Sequence, residues 1–250
     1  MGATVRALLL AATVAVSAAC GGGSGAREAT ADAPPASTPP PTSAPAPAPA
    51  PADTAGALVA RPDGPVAVSD EPGGAPTHEL PATTEFGTPR ALLVLDLEDD
   101  WLQVALPERP NGSTGWIDGT GVDLREVDER VEIDVAARTL TLLDGDEVVL
   151  TTPVAVGSPD APTPTGAFYL VDKLATGDPD HPYGPFAFGL SAHSDVLTEF
   201  AGGDGQVGVH GTNDPASIGG AVSHGCIRVP NEVIRRMAAT LPMGTPVDIR

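Results

Sequence analysis

Between Val209 and Val229 the chain reads VHGTNDPASIGGAVSHGCIRV, which sets two histidines, a serine, a cysteine and an arginine in one short segment. A cysteine attacks carbonyl carbon as the thiolate, and an unassisted thiol is only a few per cent ionised at neutral pH. A nearby imidazole can take the proton and leave an ion pair, so this residue mixture suits nucleophilic acyl chemistry. Gly225, immediately before Cys226, lets the backbone turn sharply and approach a substrate. Backbone N–H groups at such a turn can hold the negative oxygen of a tetrahedral intermediate. A lone cysteine is more often a small buried hydrophobe; the histidines and glycines around Cys226 weigh against that reading. His224 beside Cys226 suggests a metal site, but catalytic zinc takes three protein ligands. No third ligand stands at a diagnostic spacing, and no metal is expected. His78, His181 and His193 receive no role, although His181 and Tyr183 lie in a proline- and glycine-rich stretch that can flank a substrate groove.

His210-Gly211, the stretch running on to Val222, and then Ser223-His224-Gly225-Cys226 resemble the L,D-transpeptidase catalytic domain, often called YkuD-type. The resemblance extends upstream through VAVGSPDAPTPTGAFYL and GPFAFGLSAHS, and so covers most of residues 130–250. Ile227-Arg228-Val229 continues as in one branch of that family, whereas other branches carry asparagine soon after the cysteine. The resemblance implies Cys226 as nucleophile and His210 as base, with the backbone carbonyl of Gly211 in the orienting role that an aspartate fills in a Ser-His-Asp triad. It implies that Ser223, His224 and Gly225 shape the site and its oxyanion pocket. Arg228 and Tyr183 become candidate substrate-binding residues, Arg228 for a substrate carboxylate or as a structural ion-pair partner. The implied reaction joins the third-position diamino acids of two peptidoglycan stem peptides through a thioester, releases D-alanine and needs no cofactor. Carbapenem-type β-lactams become expected covalent inhibitors. An L,D-carboxypeptidase, with water replacing the acceptor amine, is the nearest rival, and a catalytically inactive wall-binding protein is the rival from another class.

The elements that must position these residues follow from periodicity. Val131, Ile133 and Val135 alternate with polar residues as in a half-buried strand, and Asp144-Gly145 joins two β-rich runs as a tight hairpin. Ala167 to Val171, Phe186 to Leu190, Val207 to His210 and Val247 to Ile249 are further strand candidates. Asn231 can cap one helix whose apolar face carries Val233, Ile234, Met237 and Leu241. Residues 128–250 therefore read as a mainly β catalytic domain, an L,D-transpeptidase-type β-sandwich with one clear helix. Residues 56–127 read as a small all-β domain. Val66 to Val68, Ala91 to Leu95, Trp101 to Leu106 and Trp116-Ile117 are separated there by turn signals such as Pro110-Asn111-Gly112. The run WLQVALPERPNGSTGWI resembles bacterial SH3-like modules, which implies a small barrel that binds wall peptides or packs against the catalytic domain.

Residues 1–20 read as a signal peptide: Arg6, an apolar run from Ala7 to Val16 too short to span a bilayer, then Ser17, Ala18 and Ala19 before Cys20. This resembles a bacterial lipoprotein signal and implies lipidation of Cys20, export, and anchorage on the outer face of the cytoplasmic membrane beneath the cell wall. Residues 21–55, rich in alanine and proline, cannot bury enough surface to offset their ordering entropy and are expected to form an extended spacer. The formal net charge is −20, with 4 basic and 13 acidic residues in 56–127 and 7 and 17 in 128–250. Such uniform acidity lacks the basic patches that nucleic-acid binding needs, so no nucleic-acid partner is expected.

Overall fold

Short runs of alternating apolar side chains, punctuated by glycine, proline and aspartate turns, produce a mainly β structure. The computed structural model describes residues 56–199 and 203–250. The signal peptide, Cys20 and the spacer lie outside them. Seven strands come first: β1 (Ala57–Arg61), β2 (Val66–Ser69), β3 (Pro76–Leu80), β4 (Leu92–Glu98), β5 (Trp101–Ala105), β6 (Thr114–Asp118) and β7 (Asp123–Val127). They form one antiparallel sheet in the order β3-β2-β6-β5-β4-β1-β7. Ala60, Val68, Leu92, Leu102, Val104 and Ile117 fill its core.

The remaining strands are β8 (Glu129–Asp134), β9 (Thr139–Asp144), β10 (Glu147–Pro153), β11 (Val156–Gly157), β12 (Gly166–Ala175), β13 (Phe186–His193), β14 (Gln206–His210), β15 (Ala221–Ser223), β16 (Ile227–Arg228) and β17 (Pro246–Ile249). Eight of them order as β10-β9-β8-β17-β12-β13-β14-β16, and β11 pairs with β15 in parallel. The chain's last strand thus sits mid-sheet, parallel to β8 and antiparallel to β12. The hairpin expected at Asp144-Gly145 is present, with Gly145 at φ 55° as a tight turn requires. The helix α1 (Asn231–Thr240) packs Ile234 and Met237 into the core. Asn231 does not cap it. Pro230 occupies the N-cap position without a side-chain cap bond, and Asn231 is the first helical residue. Its carboxamide is used elsewhere, as described below.

All described residues fall in one compact unit, and β12 explains why. Phe168 and Leu170 face the core of the eight-stranded sheet, whereas Tyr169 and Val171 enter the core of the seven-stranded sheet. In sequence this strand is a continuous apolar run, as a strand buried on both faces should be. The Tyr169 ring is fully buried, and its hydroxyl donates to the Ala105 carbonyl at 3.0 Å. Burial raises its pKa, so the hydroxyl stays a donor. Tyr169→Phe keeps the ring but strands a carbonyl, and is expected to cost about 1 kcal/mol. Tyr169→Ala also opens a cavity between the two cores and is expected to cost about 3–5 kcal/mol. Urea unfolding checks both; a cost below about 1 kcal/mol for Tyr169→Ala would mean that this ring does not join the cores.

Candidate active site

Two short strands bring the thiol and the imidazole together. β14 lies beside β16 in parallel, with Val209 opposite Ile227 and His210 opposite Arg228. Cys226 therefore precedes β16 at the level of Gly208, whose backbone N–H bonds to the cysteine sulfur. A Cβ at Gly208 would lie 2.7 Å from the Phe188 carbonyl oxygen, so only glycine fits this close approach. Both backbone groups of Arg228 pair with Ala155 at 2.9 Å, which fixes the other side of β16. His210 is buried, and its Nδ1 lies 2.6 Å from the Gly211 carbonyl oxygen. A carbonyl only accepts, so Nδ1 carries the proton and Nε2 keeps its lone pair.

The turn before Cys226 is held from within and from below. The Ser223 hydroxyl donates to the Cys226 carbonyl at 2.5 Å and accepts from the Gly225 N–H at 3.1 Å. Gly225 adopts φ 116°, a left-handed conformation that favours glycine. Its carbonyl accepts a 2.8 Å bond from the Thr163 hydroxyl, which in turn accepts from the Gly157 N–H at 2.8 Å. Thr163 is buried and was not singled out in the sequence; its only signal was a threonine in a proline-rich loop upstream of β12.

A loop between β12 and β13 covers the imidazole. Gly184 and Gly211 meet back to back: a Cβ on either would lie 2.3 Å from the Asn231 carboxamide oxygen. That oxygen accepts from the Thr212 N–H at 2.8 Å, and the Asn231 amide donates to the Pro179 carbonyl at 3.2 Å. Asn231 thus ties the residues following His210 to the covering loop. Tyr183 on that loop packs edge-on against His210, with ring centroids 4.6 Å apart. The Tyr183 N–H donates to His181 Nδ1. A cavity of about 350 Å³ results. Its walls include all the proposed side chains of the site: Tyr183, His210, Ser223, His224, Cys226 and Arg228. His224 stands exposed at the rim. Arg228 forms no ion pair among the described residues, so its guanidinium is not committed to a structural carboxylate.

Electrostatics set the resting protonation. Burial pushes the Cys226 thiol up, opposed by the Gly208 N–H and the Arg228 charge. Burial holds His210 down to about 4, with Arg228 and His181 adding to the effect and the bond to Gly211 opposing it. Both shifts favour a neutral thiol beside a neutral imidazole, rather than the ion pair that the sequence suggested. Among the described residues, no group of three or more His, Cys, Asp or Glu is arranged to hold a metal ion.

A thiol and an imidazole whose Nε2 keeps its lone pair line one cavity of a mainly β domain, an arrangement chemically suited to acyl transfer. Residues 128–249 match the YkuD family, described as the L,D-transpeptidase catalytic domain. YkuD of Bacillus subtilis (strain 168) is 39% identical over 119 residues, 48% of this chain and 64% of that protein. YqjB of the same organism is 36% identical over 107 residues, 38% of this chain and 56% of that protein. The chain thus spans just under two thirds of YkuD. A solved Enterococcus faecium L,D-transpeptidase is 25% identical, with TM-score 0.38, covering 49% of this chain and 50% of that one.

Thr163→Val removes a hydroxyl that satisfies two buried backbone groups and is expected to cost about 2 kcal/mol or more, whereas Thr163→Ser stays near wild type in thermal unfolding. His210 binds its proton less readily folded than unfolded, where its value is 6.5. Its contribution to stability is therefore present above pH 6.5 and is lost as pH falls through about 4, reaching roughly 3 kcal/mol. Urea titrations of wild type and His210→Asn at pH 7 and pH 4 check this; equal pH dependence in the two proteins would contradict it.

Proposed function

We propose that this protein is a peptidoglycan L,D-transpeptidase that works through a Cys226 thioester. The observation that carries the reading is the 2.6 Å bond from His210 Nδ1 to the Gly211 carbonyl, which leaves Nε2 free to accept a proton at the cavity that Cys226 lines. In the proposed reaction, sulfur attacks the carbonyl of the third residue of a donor stem tetrapeptide while Nε2 takes the thiol proton. The amine of the terminal D-alanine leaves with that proton, and the thioester remains. The side-chain amine of a second stem then attacks the thioester and passes its proton through His210 back to sulfur. One peptide bond is broken and one is formed, so no ATP is consumed. Burial favours the neutral form of both groups, so in this reading proton transfer accompanies attack. Arg228, carrying a charge at the cavity wall, is suited to a substrate carboxylate.

The same reading takes residues 1–20 as a lipoprotein signal and Cys20 as the anchor on the outer face of the membrane. It takes carbapenems as acylating inhibitors of Cys226. Incubation with disaccharide-tetrapeptide followed by mass spectrometry is expected to give cross-linked dimer and released D-alanine. Tripeptide without dimer would instead identify an L,D-carboxypeptidase. Cys226→Ala is expected to reduce product by more than about a thousandfold and to abolish the carbapenem adduct. Unchanged turnover in that variant would overturn the mechanism.

A further inference from the structure

We propose that Arg109, on the β5–β6 loop of the seven-stranded sheet, is a positioning residue for Cys226 and His210. Its guanidinium braces both ends of the connection between β13 and β14. It donates to the Ser194 carbonyl at 2.8 Å and to the Leu197 carbonyl at 3.1 Å, where the chain leaves β13, and to the Asp204 carbonyl at 2.9 Å, where the chain turns into β14. A planar fork of N–H donors suits three carbonyls approached from different directions.

The neighbouring contacts serve the same joint. The Asn111 carboxamide donates to the His193 carbonyl at 2.7 Å and accepts the His193 N–H at 2.8 Å, so it completes β13 as an edge partner would. The His193 ring is buried with Nε2 2.9 Å from an Asp204 carboxylate oxygen, and the other oxygen of that carboxylate accepts from the Gln206 N–H at 3.2 Å. The Ser194 N–H donates to the Gly205 carbonyl at 2.9 Å. Gly205, at φ 82°, has no room for a side chain: a Cβ would meet the Leu197 carbonyl at 1.9 Å and Arg109 at 2.9 Å.

What leaves this joint is β14. Four residues beyond Asp204 is Gly208, whose N–H meets the Cys226 sulfur, and two further is His210. An extended strand transmits a shift at its origin along its length, because its length per residue is fixed at about 3.3 Å. A displacement of about 1 Å is enough to slow acyl chemistry about a hundredfold. The seven-stranded sheet is therefore part of the machinery of the site, acting through the strand that bears the imidazole. Nothing in Arg109 touches the cavity itself.

The role rests on the transpeptidase reading for its consequence in turnover, but not for its consequence at the thiol. Two measurements on the full chain keep the two apart. Alkylation of Cys226 by iodoacetamide needs no stem peptide and reads the surroundings of the sulfur. Arg109→Ala is expected to change that rate about fivefold to tenfold at pH 7.5, with a melting temperature within a few degrees of wild type. Arg109→Lys, which keeps the charge but loses the fork, is expected to fall between the two. In turnover, kcat falls about tenfold or more while KM stays within twofold. An unchanged alkylation rate in Arg109→Ala would overturn the proposal, as would a change matched by the loss of folded protein. If Arg109→Ala does not fold, Arg109→Lys decides by the same two rates. If wild type makes no product from stem peptides, the transpeptidase reading fails and the alkylation rates still decide the brace.

Discussion

One strand carries two cores. Because successive side chains of β12 point to opposite faces, Phe168 and Leu170 complete the interior of the eight-stranded sheet while Tyr169 and Val171 complete that of the seven-stranded sheet. Neither sheet can withdraw from β12 without exposing large apolar side chains, each worth roughly 1.5–3 kcal/mol of burial. That constraint fixes one sheet against the other, and it is what allows a loop of the first to act as a fixed support for a strand of the second. The imidazole stands at the end of β14 and the thiol immediately before β16, the two strands at one edge of the sheet, where little sheet remains beyond them to hold position. Side-chain bonds from Thr163, Ser223, Asn231 and Arg109 supply there what strand pairing supplies elsewhere.

The chemistry of the site was legible in the sequence because it is concentrated in one contiguous segment. His210, Gly211, Ser223 to Cys226 and Arg228 all come from residues 209–229, and glycine at 225 announces its own turn. The mainly β class with one helix followed equally from alternation and turn residues. Expected strands at 131–135, 167–171, 186–190, 207–210 and 247–249 correspond to β8, β12, β13, β14 and β17.

What could not be read has physical reasons. β11 and β16 are two residues long and show no periodicity, yet β16 sets the register between Cys226 and Gly208. Thr163 meets Gly225 across 62 residues of chain, and no local pattern encodes such a bond. Asn231 has the composition of a helix cap, but tertiary contacts with Thr212 and Pro179 outcompete the local bond. Arg109 lies in a segment whose turn was recognised, while its partners lie in the other sheet. The pKa shifts at the site have a related cause. An ion pair follows from the two residue types alone, whereas burial, which only the fold supplies, disfavours both charges.

Gly184 and Gly211 bring the covering loop against the residue after His210 by what they lack. Two backbones in contact without intervening side chains make the separation between the covering loop and the imidazole a fixed gauge, insensitive to rotamer changes. A family of variants aimed at altering what enters the cavity would therefore leave this pair alone and change Tyr183 or His181, whose side chains line it. The backbone separation would stay constant while the aperture varied, although a change at Tyr183 or His181 would also reach the His210 imidazole that both adjoin.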